Sequence, residues 1–500
     1  MLFNSYPFIF VFLPVVLFGY FAASRFGKLA PVIWLALASL VFYSFSNWQF
    51  VALLLASIGF NYLIGWLLIS HHLRAGPRLA VLSAGVAGDL FALGIFKYAG
   101  FLVANFNAVF STSLAVNILL PVGISFYTFT QIAFLVDAYR GKVARYALPH
   151  YALFVTYFPH LIAGPILHHR DMIPQFESSD SKRPSPHLIL CGLIIFGVGL
   201  FKKTGLADGI QSLVALAFNQ AAPSFDQAWI GALAYTFQLY FDFSGYSDMA
   251  IGISLMFGIF LPLNFNSPYK AASIIDFWRR WHMSLSQFLR DYLYIPLGGN
   301  RLGEQRRYVN LMLTMLLGGL WHGAGWNFLI WGGLHGVYLC VNHLWQAWCV
   351  GDRQRSFRGF SGQAFYWALT FLAVVVAWVF FRAKTLGGAQ HMVFCLLGLE
   401  TTHPDYVSPG VVRLMDLPLL VGEQSLLLFG GGAVALSLAF ALFLPNVPQL
   451  FGYREYRRKP EQASFLGWRP NFAWALLIAL ALVISLFGMW QRVEFLYFQF

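Results

Sequence analysis

Charge is scarce in this 500-residue chain, at 10% of residues, while hydrophobic residues make up 59%. That balance excludes an ordinary soluble globular domain. Cysteine is nearly absent: Cys191, Cys340, Cys349 and Cys395 lie in or beside apolar stretches, with no CxxC pair. A disulfide scaffold and a zinc centre are both excluded, and no metal is expected. H-E-x-x-H and G-x-S-x-G are missing too, which removes a zinc hydrolase and a self-contained serine hydrolase. Residues 197–204 come nearest to a phosphate-binding loop, but no glycine precedes their Lys-Thr pair. There is no internal repeat and no separate polar domain. The expectation is one transmembrane domain over residues 1–500. It comprises N-terminal helices to 150, a core with re-entrant and interfacial segments over 151–348, and C-terminal helices with an extracytoplasmic tail over 349–500.

What is present is a series of apolar runs, many reaching the roughly 20 residues that a helix needs to span a bilayer. Backbone in lipid must be satisfied internally, and continuous runs lack the alternation of a barrel. The predicted class is therefore all-α and polytopic, with roughly eleven to thirteen transmembrane helices plus re-entrant and interfacial ones. The net charge of +12 would suit nucleic acid. Its distribution excludes that partner, because Lys and Arg cluster in short loops between spans, as cytoplasmic loops do. The bilayer is the partner implied.

Alternation of these loops sets a topology. The N-terminal run carries no basic leader and reads as a retained helix over residues 7–23, followed inside by Arg25 and Lys28. Spans at 31–45, 50–70, 79–96 and 118–136 follow, and both chain termini are predicted on the outer side. Asp89 falls within a span, either as a helix-packing group or as part of a pathway. Residues 151–165 form a short run containing Pro159, His160, Gly164 and Pro165, which suits a broken or re-entrant helix. His160 is a candidate site residue or a structural one. His168 and His169, beside Arg170 and Asp171, read as a solvated loop. Asp242 and Asp248 lie six apart, on different faces of a regular helix. Each has several possible uses: bonding a neighbouring helix, positioning a histidine or lining a polar channel.

The centre of the chain holds its sharpest signal. Trp321, His322 and Gly323 sit in an apolar, glycine-rich run, followed by Asn327, Trp331 and His335. An ionisable group at membrane depth is costly and points to function. Counting from Arg307 at the cytoplasmic face, His322 lies roughly 20 Å deep along a helix. His335 is expected nearer the outer face, on a widely separated helical face if the helix is continuous. Residues 264–308 combine Arg279, Arg280, Arg290, Arg301, Arg306 and Arg307 with aromatics. They read either as interfacial anchors or as a cationic mouth that binds a phosphate-bearing donor.

Five blocks together resemble the membrane-bound O-acyltransferase (MBOAT) family, in its branch of alginate-type O-acetyltransferase membrane subunits. They are residues 157–165, 241–248, 276–282 (Asp-Phe-Trp-Arg-Arg-Trp-His), 290–301 and the Trp-His-Gly block to 336. The resemblance implies acyl transfer from a cytoplasmic thioester, acetyl-coenzyme A or an acyl carrier, used as a substrate with no permanently bound cofactor. It carries over His322 as the catalytic residue. His335, Asn327, Trp321, Asp242, Asp248 and His160 stand as supporting candidates, and Arg279, Arg280 and Arg290 as donor-binding ones. A buried neutral imidazole suits a general base, and an indole or the Asn327 amide suits an oxyanion. The implied setting is a bacterial inner membrane, with acetyl groups crossing it for O-acetylation of an exopolysaccharide or peptidoglycan by periplasmic or membrane-anchored acetyltransferase partners. Tyr497, in an aromatic tail, is either an interfacial anchor or an acyl relay. The rival reading is a non-catalytic acyl-group transporter or channel.

Overall fold

A computed structural model of the chain describes residues 1–70, 74–178, 183–220, 223–348, 359–399, 412–414, 417–419, 426–450, 453, 472–490 and 494–496. Tyr497 lies outside the described residues. The architecture is helical and polytopic, as expected for a membrane protein. Among the described residues the only strands are Val412–Leu414 and Leu417–Leu419, paired antiparallel with Val412 opposite Leu419.

Among the described residues five helices are both long and apolar enough to cross a bilayer: Phe8–Phe26, Trp48–Ile69, Ala75–Phe110, Pro186–Phe218 and Ser361–Arg382. The long helices Phe225–Met256, Glu304–His322 and Trp326–Trp348 fall outside this set, because polar and charged residues lower their hydropathy. Ala75–Phe110 runs past its expected end at 96, its register relaxed by a π-helical turn at Gly94–Tyr98. The following helix starts at Ile124 rather than 118, set by Pro121 and by Gly123 at φ +77°.

Contacts divide the chain into two compact units, Met1–Gly199 with Tyr246–Pro262, and Leu200–Gly245 with Leu263–Leu496. The first unit is centred on an aromatic cluster in which Phe3, Phe8, Phe12, Phe42 and Phe158 meet with ring centroids 4.9–6.4 Å apart. Its helices approach closely where Gly192 faces Gly252. A Cβ on either would stand 2.5 Å from the other's carbonyl oxygen.

The expected broken helix is present in this unit. Leu148–Thr156 stops at Tyr157, whose ψ of 105° is not helical, and Phe158–Leu161 resumes. The break leaves backbone groups that need partners. Ser39 Oγ accepts from the Phe158 amide at 3.1 Å, and the Tyr157 hydroxyl donates to Ser254 at 3.0 Å.

His168 and His169 do not form a solvated loop. Both are buried, and His169 opens the His169–Glu177 helix with Nε2 3.3 Å from Asp137 Oδ2. A remote carboxylate supplies the partner that burial requires. Asp89 accepts from Asn61 Nδ2 at 2.7 Å, a contact between two helices.

In the second unit, Glu304–His322 and Trp326–Trp348 form an antiparallel hairpin, turned through Gly323 in extended backbone. Three glycines set the spacing. A methyl on Gly319 would overlap the Phe328 carbonyl oxygen, one on Gly332 would overlap that of Met315, and one on Gly336 would crowd the Met312 sulfur. Small residues at the crossing let the two backbones meet.

Candidate active site

The hairpin brings His322 and His335 to one place. Their ring centroids each lie 5.0 Å from that of Trp331. This corrects the expectation of widely separated faces, which held only for an unbroken helix. The turn at Gly323–Gly325 reverses the chain, so His322 sits beside the turn. His335 comes a few turns back toward Arg307, level with Met312. Depth order is therefore the reverse of the one expected.

Aromatic rings wall the centre. Trp321, Phe381 and His282 stand 4.9, 5.3 and 6.4 Å from the His322 ring, and Trp378 stacks on Trp331 at 5.6 Å. Trp278 Nε1 donates to His335 Nδ1 at 3.3 Å. A neutral imidazole accepting at Nδ1 carries its proton on Nε2. That Nε2 is buried with no hydrogen-bond partner in the structure, so its N–H is a donor left unused by the protein.

His282 is the residue that sequence reasoning passed over. It ended the 276–282 block without a role, yet it is fully buried with φ +41°, rare for a side chain with a Cβ. Its ring lies 4.8 Å from Phe243, with Nδ1 3.3 Å from Asn264 Oδ1. Trp278, Trp331, Trp378 and Phe381 were likewise unassigned as walls, although the density of tryptophan near Trp321 was a visible signal.

The remaining candidates separate. Asn327 Nδ2 donates to the Ala383 carbonyl, tying the start of one helix to the end of Phe360–Arg382. Asp242 joins a different cluster. Lys203 Nζ donates to Asp242 and to Asp208 at 2.7 Å each and to the Glu494 carbonyl at 3.2 Å, while Asp242 Oδ2 accepts from the Leu496 amide. His160 and Asp248 belong to the first unit, where His160 Nε2 lies 3.1 Å from the Phe154 carbonyl.

Of the cationic residues, Arg279 is exposed. Arg280 bonds Asp276 at 2.9 Å, and Arg290 makes a two-pronged contact with Asp291 at 2.7 and 3.3 Å. That bond raises the Arg290 pKa, while partial burial and the nearby Arg280 lower that of Lys270.

A helical membrane protein that buries two imidazoles around one indole, at a glycine-opened hairpin, has the makings of a membrane-embedded enzyme. Comparison with known proteins makes this specific. Residues 108–381 match the model of MBOAT, the membrane-bound O-acyltransferase family. The chain is 45% identical over 429 residues to the peptidoglycan O-acetyltransferase of Helicobacter pylori, covering 80% of each chain. It is 44% identical over 438 residues to a probable alginate O-acetylase, AlgI, of Azotobacter vinelandii, covering 86% of this chain and 85% of that one. A teichoic acid D-alanyltransferase of Bacillus subtilis is 29% identical over 248 residues, covering 46% and 61%. The chain belongs to the membrane-bound O-acyltransferase family and is an O-acyltransferase.

Proposed function

We propose that this protein takes an acetyl group from a cytoplasmic thioester and passes it across the bacterial inner membrane for O-acetylation of an extracellular polysaccharide, an alginate-type polymer first among them. Acetyl-coenzyme A or an acyl carrier serves as donor substrate. The observation that carries this reading is the pairing of His322 and His335 around Trp331 in an aromatic enclosure. In such surroundings the uncharged imidazole is favoured.

His322 acts as general base, removing the proton of the acceptor hydroxyl as its oxygen attacks the thioester carbonyl. The bond from oxygen to carbon forms and the carbon–sulfur bond breaks, releasing the thiol. The His335 Nε2–H steadies the developing oxyanion. Arg279, Arg280 and Arg290 receive the donor phosphates at the cytoplasmic side. A periplasmic or membrane-anchored acetyltransferase completes delivery to the polymer, and Tyr497 is a candidate relay. Relatives of nearly equal identity are named for alginate and for peptidoglycan. The block at residues 294–300 favours the alginate-type branch over the teichoic acid D-alanyltransferases.

The test uses purified protein in detergent with radiolabelled acetyl-coenzyme A. Wild type turns over the thioester, whereas His322→Ala and His322→Gln fall by about 10²–10⁴-fold, the usual worth of a positioned base. Equal behaviour of all three, with polymer acetylation intact in cells, overturns the reading in favour of a transporter.

A further inference from the structure

The arginines of the 264–308 segment divide by their partners. Arg280 is held against Asp276, and Arg290 against Asp291. Arg279 is exposed and Arg307 half-buried. Among the described residues neither of these has a carboxylate within ion-pair distance.

The register of the hairpin brings the two uncompensated cations to one end. Gly336 lies level with Met312, and Cys340 Sγ meets the Tyr308 carbonyl at 3.9 Å. One turn further on, half-buried His343 comes level with the start of the Glu304–His322 helix. Trp278 Nε1, donating to His335 Nδ1, keeps Arg279 beside the same helix as His343. Arg307 and Arg279 both lie within electrostatic reach of His343. Arg307 Nη2 donates to the Tyr308 hydroxyl at 2.9 Å, which steadies the guanidinium without neutralising it. Like charges gathered in this way repel one another. A bound anion removes that cost.

The chemistry of the anion follows from the charge it must match. A phosphomonoester carries about −1.5 to −2 at neutral pH, and guanidinium groups bind it edge-on. A phosphodiester carries a single charge. Coenzyme A bears a diphosphate where its pantetheine arm begins and a separate phosphomonoester at the ribose 3′ position. An acyl carrier bears only the phosphodiester that joins the arm to its serine. From Arg307 to His322 the helix runs about 22 Å at 1.5 Å per residue, a span that calls for a long arm such as pantetheine. We propose that Arg307 and Arg279, with His343 beside them, form a phosphomonoester subsite that selects a 3′-phosphorylated nucleotide thioester, acetyl-coenzyme A, over an acyl carrier. Arg280 and Arg290 keep the diphosphate. This rests on the acetyl-transfer reading above and narrows its two donors to one.

The headgroup of phosphatidic acid carries the same chemistry, and the experiment separates the two sources. Binding of coenzyme A and of 3′-dephospho-coenzyme A is measured calorimetrically on the full chain. The protein is held in nanodiscs of phosphatidylcholine, without or with phosphatidic acid, and acetyl-coenzyme A turnover is followed in parallel. Wild type is expected to bind coenzyme A about tenfold more tightly than the dephospho form, in both kinds of disc. Arg307→Gln brings that ratio to about one, Arg307→Lys retains part of it, and Arg279→Gln lowers it several-fold. Arg290→Gln weakens both ligands and leaves the ratio unchanged.

A wild-type ratio near one, no binding of either ligand, or a ratio that survives Arg307→Gln overturns the subsite. A ratio that collapses when phosphatidic acid is present assigns the cations to the lipid and overturns it equally. Should Arg307→Gln fail to fold, an unchanged ratio in Arg279→Gln overturns it. Absence of thioester turnover in wild type, with the ratio intact and dependent on Arg307, overturns the acetyl-transfer reading and leaves the subsite standing.

Discussion

The two units differ in what surrounds their buried polar groups. In the first, Asn61 answers Asp89, Asp137 answers His169, and the Phe154 carbonyl six residues back answers His160. In the second, indole and phenyl rings line His322, and His335 keeps one nitrogen without a hydrogen-bond partner. Polar groups closed on one another stabilise a helix bundle, whereas a group held open in a dry enclosure is a group kept for a substrate.

The second unit also contains a cluster gathered around a buried cation, and disturbing it tests the contrast most strongly. Lys203 stands between Asp208 and Asp242 with its side chain 1% exposed, and the Phe495 ring lies 4.9 Å from its ammonium. Lys203→Met leaves two buried carboxylates uncompensated, an effect of roughly 3–5 kcal/mol. Thermal unfolding in detergent should show a marked fall in melting temperature, partly restored by adding Asp242→Asn. An unchanged melting temperature in the single variant would remove this cluster from the list of stabilising ones.

Glycine contacts occur in both units and should part in their consequences. Gly319→Ala pushes against the Phe328 carbonyl within the hairpin that aligns the two imidazoles. Displacements near 1 Å cost on the order of 10² in rate, so acetyl-coenzyme A turnover should fall about a hundredfold. Gly192→Ala meets Gly252 in the first unit and should lower melting temperature with a much smaller fall in turnover. Equal losses of turnover would show that the hairpin has no special part in alignment.

Trp278→Phe removes the donor to His335 Nδ1 but keeps an aromatic wall. The bond is worth about 1 kcal/mol, and its loss frees the ring to exchange tautomers. Turnover should fall about five- to tenfold, with melting temperature little changed. A variant as active as wild type would mean that His335 is oriented by packing alone.

Much of this contrast was legible in the chain. Apolar runs and loop charge gave the membrane class, and Pro159 with Gly164 marked the broken helix. The Trp-His-Gly block marked the centre. What could not be read were the long-range pairings. Asp242 finds Lys203 across 39 positions, and His169 finds Asp137 across 32. Hydrophobic periodicity reports which face is buried and says nothing of which remote polar group meets it. The relation of His322 to His335 turned on whether the helix continued through residues 323–325. Two glycines flanking one alanine were the available sign that it does not.

The smallest effect is expected where the charged partner of a pair is neutralised without changing shape. Asp89→Asn keeps an acceptor oxygen for Asn61 Nδ2 while removing a carboxylate whose Oδ2 is buried without a partner. Side-chain hydrogen bonds between membrane helices average about 0.6 kcal/mol, and the amide retains most of this one. Melting temperature and thioester turnover should therefore both stay close to wild type. A large loss of turnover, with the melting temperature held, would place Asp89 on a proton or substrate route. The first unit would then share in the chemistry as well as in the scaffold, and the division between closed and open polar groups would have to be redrawn.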